Sequence, residues 1–442
     1  MSTPVGPRYP GVWRNWAGNQ HCAPVAVERP TSEADLVAVV ERAAAAGRRV
    51  KAVGAGHSFT SIACTDGHLV DLSRYGRVLD VDLAAGEVTV QAGITLRALN
   101  RALAARGLAL ENLGDIAYQS VAGAAATATH GTGIRFGNLS SQIVGLRLIA
   151  GDGDVVACSA ASRPDVWSAA RVGVGALGLV STMTLRCVPA FNLHAVEEAR
   201  PVDEVLEELD DLVDGNDHYE LFWIPGTRWA LTKRNRRTAE PAQPRRRWEA
   251  FRNEVLYDNL AFGAMLRVGR RRPDLIPRMA KAIPSAGRQE YVERSDRVFA
   301  SPRLVHFLEM EYAVPRAAFR PAFDAVRELV SRMRVPIGFP VECRFVAGDD
   351  IALSTAEGGE TAYIAVHTAI GAPHQEYFSG VEAIMGRHDG RPHWGKLHFR
   401  TAESLAPRYP RWDDFQAVRA ELDPSGVFAN PYTDRVLGFV GG

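Results

Sequence analysis

The chain has no excess of either charge, no cysteine pair at metal or redox spacing, and no long apolar run. Lys and Arg total 51 and Asp and Glu total 51, so the formal net charge is zero. A nucleic-acid partner calls for a basic excess, and none is present. The whole-chain balance gives no support to a protein that seeks acidic surfaces either. The five cysteines (Cys22, Cys64, Cys158, Cys187, Cys343) are scattered, with no C-x-x-C spacing. Neither a zinc site nor a disulfide framework is indicated, no metal is expected, and a reducing compartment fits best. No uninterrupted apolar segment is long enough to span a bilayer. The opening MSTPVGPRYPGVW has neither the apolar core nor the cleavage pattern of a secretory signal. A cytoplasmic protein is the expectation.

What is present is an ordinary globular composition, 46% hydrophobic and 23% charged. At 442 residues the chain is too long for one core, so two or three domains are expected. In RPTSEADLVAVVERAAAAGRRVKAVG, Pro30 stops what precedes it and TSEADL supplies capping residues with acids in the first turn. Leu36, Val39, Val40 and Ala43 follow at helical spacing, Gly47 ends the helix, and Val50 to Val53 form a short strand. HLVDLSRY, VLDVDL and EVTVQAG alternate as strands, TLRALNRALAARGLAL is a capped helix, and IVGLRLIAGDGDVVACS is a hairpin turning at Gly151-Asp152-Gly153. DVWSAARVGVGALGLVSTMTLRCVP reads as helix, glycine-rich turn and strand. The texture up to Pro189 is mixed α+β. Beyond it HYELFWIPG, RWALTKRNR, VHFLEMEYAV, PVECRFVAGDDIALS and TAYIAVHTAI are strand-like, and PAFDAVRELVSRMR is an amphipathic helix. The arginine-rich stretch at 245–272 places Trp248, Phe251 and Val255 at helical spacing, a pattern of a core face more often than a membrane face.

Two segments stand out chemically. VGAGHSFT sets His57 and Ser58 among glycines straight after a strand, and QSVAGAAATATHGTG carries no large side chain between Gln119 and His130. Small residues at this density let backbone approach a flat ligand and aim N–H groups at phosphate oxygens. The alternatives are a turn that merely holds a capping histidine and a tightly packed small-residue helix. A nicotinamide Rossmann loop fails because Phe59 stands where the third glycine belongs, and a Walker loop fails for want of Gly-Lys-Ser/Thr. In VECRF, Glu342 and Arg344 project from one face of a strand while Cys343 points away. A surface ion pair is the plain alternative and would contribute little.

GHSFTSIACTDG, GLALENLGD, SVAGAAATATHGTG, ECRFVAGDDIALS and GRPHWGK, in this order from about Trp13 to the C-terminus, resemble the aldonolactone oxidoreductases of the vanillyl-alcohol-oxidase flavoprotein superfamily. The resemblance implies a p-cresol-methylhydroxylase-type FAD-binding domain at 1–190, a cap domain with an antiparallel sheet covered by helices at 191–421, and a segment at 422–442 returning to the first domain. It implies FAD bonded covalently through His57 to the flavin 8α-methyl, which anchors the cofactor and raises its potential. Gly54, Ala55, Gly56, Ser58, Phe59, Ser120, Gly123, Thr127, Thr129, His130, Gly131, Thr132, Val180 and His393 become its expected cofactor contacts. Arg344 is expected to stabilise negative charge developing on the flavin, Glu342 to orient a substrate hydroxyl, and Lys396 to assist an alkoxide-like state. Ser120 and His367 are expected at the substrate.

The activity implied is oxidation of the C2 hydroxyl of a sugar 1,4-lactone, L-gulono-1,4-lactone being the best single substrate, with an ascorbate-type product. Ala369 stands where alditol oxidase has threonine two residues after its histidine, which disfavours a linear polyol such as xylitol. A non-catalytic flavin-binding protein would carry the same motifs. The acceptor stays open between oxygen and a dye or cytochrome.

Overall fold

The computed structural model describes residues 11–243, 272, 287–300 and 305–440. The helical pattern carrying Trp248, Phe251 and Val255 lies outside the described residues. Near the start, Ser32 accepts a hydrogen bond from Asp35 N while the Asp35 carboxylate accepts from Ser32 N, the reciprocal cap that begins the helix Glu33–Ala45. Leu36, Val39, Val40 and Ala43 form its buried face, and Gly47 follows at φ +59°, a conformation that costs glycine nothing. The strand Val50–Val53 then joins a parallel three-stranded sheet in the order Ala26–Glu28, His68–Asp71, Val50–Val53. An antiparallel five-stranded sheet lies beside it, in the order Val155–Ser159, Ile143–Ile149, Leu179–Arg186, Glu87–Gln91, Val78–Asp82. Leu99 and Leu103 of the Thr95-capped helix Leu96–Ala104 share one core with both sheets.

The second half builds an eight-stranded antiparallel sheet. Its order is Gln289–Arg294, Asn192–Pro201, Trp229–Thr238, His218–Trp223, Val341–Val346, Thr361–Ala369, Phe307–Pro315, Arg391–Pro392. The two strands on one side, Gln289–Arg294 and Asn192–Pro201, are not among the strand-like stretches read from the sequence. One face of the central strands carries Leu221, Cys343, Phe345, Ile364, Val366 and Met310, all buried against Phe319, Phe323 and Val326 of the helix Phe319–Arg332 and Phe378 and Val381 of the helix Gln375–Gly386. Each such side chain contributes about 1.5–3 kcal/mol by leaving water. The opposite face is polar.

The C-terminal part closes on the first core. Leu405, Trp412, Phe415, Val418, Leu422 and Tyr432 all pack there, so the return begins ahead of residue 422. Val50 N donates to Val427 O at 2.8 Å. The buried Lys51 donates through Nζ to Gly175 O at 2.8 Å and Phe428 O at 3.0 Å. Asn430 Nδ2 donates to the carbonyls of Ser61, Ile62 and Cys64, fixing the turn that follows the His57 loop.

Candidate active site

The strand Val50–Val53 delivers the chain into Gly54–Phe59. A Cβ on Gly54 would lie 1.9 Å from Ser120 Oγ, so the first small-residue segment touches the second with no room for any side chain. The second segment is a helix only over Val121–Ala126; it then turns through Ala128 at φ +57°. The crevice beside that helix is lined by small residues such as Ala122, Ala125 and Gly173 together with Leu148, Leu177 and Met183. Val174, a buried β-branched residue at φ +52°, keeps this wall in a strained backbone shape.

His57 stacks on Trp16, with ring centroids 5.2 Å apart. Its Nδ1 is buried with no hydrogen-bond partner. Burial, then the nearby Lys396 ammonium, hold its pKa down to about 4. The ring is therefore neutral near pH 7 and keeps a nitrogen lone pair. The His57 loop is clasped by a loop from the far end of the chain: Phe59 N donates to Gly395 O at 2.7 Å and Lys396 Nζ sits 5.4 Å from the Phe59 ring centroid. Gly395 N in turn donates to His393 Nδ1 at 3.0 Å.

The polar face of the large sheet lies against these loops. Cross-strand register sets Glu220 opposite Arg344, Glu342 and Glu311 on either side of Ala365, and Glu309 opposite His367. Arg344 donates through Nε to Glu220 Oε2 at 3.0 Å; its Nη2 lies 2.5 Å from Glu342 Oε1 and 3.8 Å from Asp115 Oδ2. Lys396 pairs closely with Glu309 and lies 3.9 Å from Glu311. His130 Nε2 meets Glu311 Oε1 at 3.0 Å, and its ring stacks on Tyr363 at 3.5 Å between centroids.

These groups set one another's charge. Burial opposes the ammonium of Lys396, but the Glu309 and Glu311 carboxylates outweigh it and raise its pKa, so Lys396 stays charged and is no base. Burial likewise opposes ionisation of Glu309, yet Lys396 and His367 bring it down to about 2. Glu342 goes the other way. Burial raises it to about 7 despite Arg344, with Asp115 and Glu220 adding repulsion. A carboxyl poised at neutrality, a fixed guanidinium and a fixed ammonium thus share one buried face.

Glu342, Arg344, Lys396, His367, His393 and His130 come together here, and the surface reading of the Glu342–Arg344 pair is overturned, since both are under a tenth exposed. Other candidates have local partners. Thr132 Oγ1 pairs with Tyr219 O and accepts from Phe345 N at 3.2 Å, tying its loop to the sheet. Gly131 must be glycine because a Cβ would lie 2.3 Å from Leu113 O. Thr127 Oγ1 donates to Ala124 O at 3.3 Å and lies 3.5 Å from Thr129 Oγ1. Gly123 faces Ser120 Oγ, and Val180 lines the crevice beside Val121–Ala126. Glu220, Glu309, Glu311 and Asp115 were not singled out from sequence. LEMEY held the signal for two of them: acids at alternate positions of an otherwise apolar strand.

Two family profiles match the chain: an FAD binding domain over residues 24–159 and D-arabinono-1,4-lactone oxidase over residues 183–436. L-gulono-1,4-lactone dehydrogenase of Mycobacterium tuberculosis is 50% identical over 428 residues, 97% of this chain and 99% of that one. The chain belongs to the aldonolactone oxidoreductases. Among other members of that family, L-gulonolactone oxidase of Bos taurus is 33% identical over 97% of this chain and 99% of its own. In fold, this aldonolactone oxidoreductase matches the crystal structure of cholesterol oxidase from B. sterolicum with a TM-score of 0.81, covering 99% of this chain and 100% of that one at 18% identity. FAD is thus the group to fit. The buried, unpartnered Nδ1 of His57 and the glycine- and alanine-rich segments that meet beside it are the features here that suit such a ligand.

Proposed function

We propose that this chain oxidises the C2 hydroxyl of L-gulono-1,4-lactone, or a closely similar sugar lactone, to a 2-keto lactone that enolises to an ascorbate-type product. The observation that carries the reading is the buried set Glu342, Arg344 and Lys396 on one sheet face, beside the loop of His57. FAD, when bound, supplies the two-electron acceptor. Glu342, ionising at about 7, accepts a hydrogen bond from the ring hydroxyl and fixes its orientation. Lys396, held charged by Glu309, stabilises the alkoxide-like oxygen as the proton passes to the Glu342 carboxylate. Arg344 offers a permanent planar cation toward the cofactor's developing negative charge. Trp16, Phe59 and Phe307 wall the His367 side with rings and limit water.

We further propose that His57 carries FAD covalently. Its neutral ring and unpartnered nitrogen support this, since C–N bond formation needs a free lone pair. Acid-precipitated protein is expected to stay yellow, with the flavin on the peptide spanning residues 53–60. Free FAD in the supernatant would refute attachment and leave a non-covalent cradle. The lactone reading is tested separately by anaerobic bleaching of the flavin with L-gulono-1,4-lactone. Bleaching by xylitol but not by lactones would replace it with the alditol reading, and no bleaching by either would leave a flavin carrier. Turnover under oxygen, against turnover with a dye, separates oxidase from dehydrogenase.

A further inference from the structure

The parallel pairing near the N-terminus sets Ala26 opposite His68, Val27 opposite Leu69 and Glu28 opposite Val70. Carried four residues back, the same register puts Cys22 opposite Cys64. The chain between keeps to that course: Val25 N donates to Asp66 O at 3.1 Å and to Gly67 O at 3.0 Å. At the cysteines themselves, the Cys64 thiol and the Thr65 backbone lie close enough to the Cys22 sulfur to lower its pKa. Both thiols are half-buried and free, whereas Cys158, Cys187 and Cys343 are buried.

The location gives the pair a consequence. Cys22 ends the small hairpin Trp13–Arg14 with His21–Cys22, whose connecting residues grip the His57 loop. Trp16 N donates to Gly56 O at 2.8 Å, Asn15 Nδ2 to Ser58 O at 2.9 Å, and Asn19 Nδ2 to Phe59 O at 2.8 Å. Cys64 closes the turn that follows the same loop.

We propose that Cys22 and Cys64 form a redox pair that a peroxide converts to a reversible disulfide, fastening the N-terminal hairpin to the His57 loop. The Cys22 thiolate attacks the peroxide O–O bond and becomes a sulfenic acid, the other oxygen leaving as water. The Cys64 thiol then displaces the sulfenic oxygen as a second water. Two thiols and one hydrogen peroxide thus give one disulfide and two waters. The hydrogen bond from Cys64 holds the Cys22 thiol down to about 7 against the opposing effect of burial, which marks it as the attacking sulfur.

The pair stands independently of the lactone reading, and its test uses no substrate. The FAD-loaded protein is treated with hydrogen peroxide, alkylated, and digested without reductant for mass spectrometry. The result expected is a peptide joining Cys22 to Cys64, about 2 Da lighter than the two separate thiol peptides for the two hydrogens lost, and released by dithiothreitol. In Cys64→Ser the joined peptide is absent and Cys22 proceeds to sulfinic acid. Wild-type protein that yields sulfinic Cys22 without the joined peptide, or that keeps both thiols alkylatable, would overturn the pair. The fastening is read as a rise in Tm of the oxidised protein that dithiothreitol reverses; an unchanged Tm would overturn it.

Discussion

On the strand Val341–Val346 neighbouring residues meet opposite surroundings. Cys343 and Phe345 point into a helix-covered hydrocarbon layer, while Glu342 and Arg344 point into a buried space shared with Glu220, Glu309, Glu311 and Lys396. Both sides are largely shielded from water, so exposure does little to tell them apart. What differs is the partner. On the apolar face a side chain is held by shape against Phe319 and its neighbours, and a smaller apolar residue leaves only a void. On the polar face each charge is held by an opposite charge, and removing one strands the other at a cost of about 3–5 kcal/mol. The fold rests on the first arrangement; the proposed chemistry draws on the second.

Changing each face separately should therefore give separable effects. Arg344→Lys keeps the charge that Glu220 and Glu342 require but loses the planar fork. The expected loss in anaerobic flavin reduction by lactone is about 10²–10³-fold, some 3–4 kcal/mol of transition-state stabilisation. Stopped-flow absorbance reads it, and a wild-type rate would reduce Arg344 to a structural partner of the carboxylates. Phe345→Leu, one residue along, should cost about 1–1.5 kcal/mol in urea unfolding and leave the reduction rate of the folded protein within about twofold.

The smallest expected change lies at the end of the neighbouring strand. His367 and Ala369 share the polar side of Thr361–Ala369, and Ala369 offers no hydroxyl to the distal carbons of a linear polyol. Lactones should then reduce the flavin about tenfold more efficiently than xylitol or sorbitol, about 1.4 kcal/mol. Ala369→Thr should narrow that ratio by raising polyol activity, as a substrate panel on both proteins would show. A polyol preference in the unaltered protein would remove the role given to Ala369.

Local signals carried much of this into the sequence. The Ser32 cap and the spacing of Leu36, Val39, Val40 and Ala43 define the first helix without outside help, and alternation in VECRF separates the two faces of its strand. Long-range pairing was not legible. Glu220 and Arg344 meet across 124 residues of sequence, and Lys396 finds Glu309 because the strand Arg391–Pro392 ahead of it pairs with Phe307–Pro315. Glu309 and Glu311 stand at alternate positions of LEMEY, and alternation marks a second face but not what covers it. The acid-rich helices Val202–Glu207 and Leu209–Asp214 do carry a local signal, since Val202, Val205, Leu206, Leu209, Leu212 and Val213 stand at helical spacing.

Glu342 ties the polar face to pH. Burial lifts its pKa from the usual 4.5 to about 7, so the folded protein binds a proton that the unfolded chain has lost in that window. Its contribution to stability is accordingly favourable at low pH and declines as pH rises from about 4.5 towards 7, while its fitness to accept the substrate hydroxyl grows over the same range. The most direct test is the anaerobic rate of flavin reduction by L-gulono-1,4-lactone, measured across neutral pH in wild-type protein and in Glu342→Gln. The wild-type rate should rise through a single ionisation near 7, and the variant should be slower with that limb gone. A flat wild-type profile, or the same limb kept in Glu342→Gln, would contradict the account.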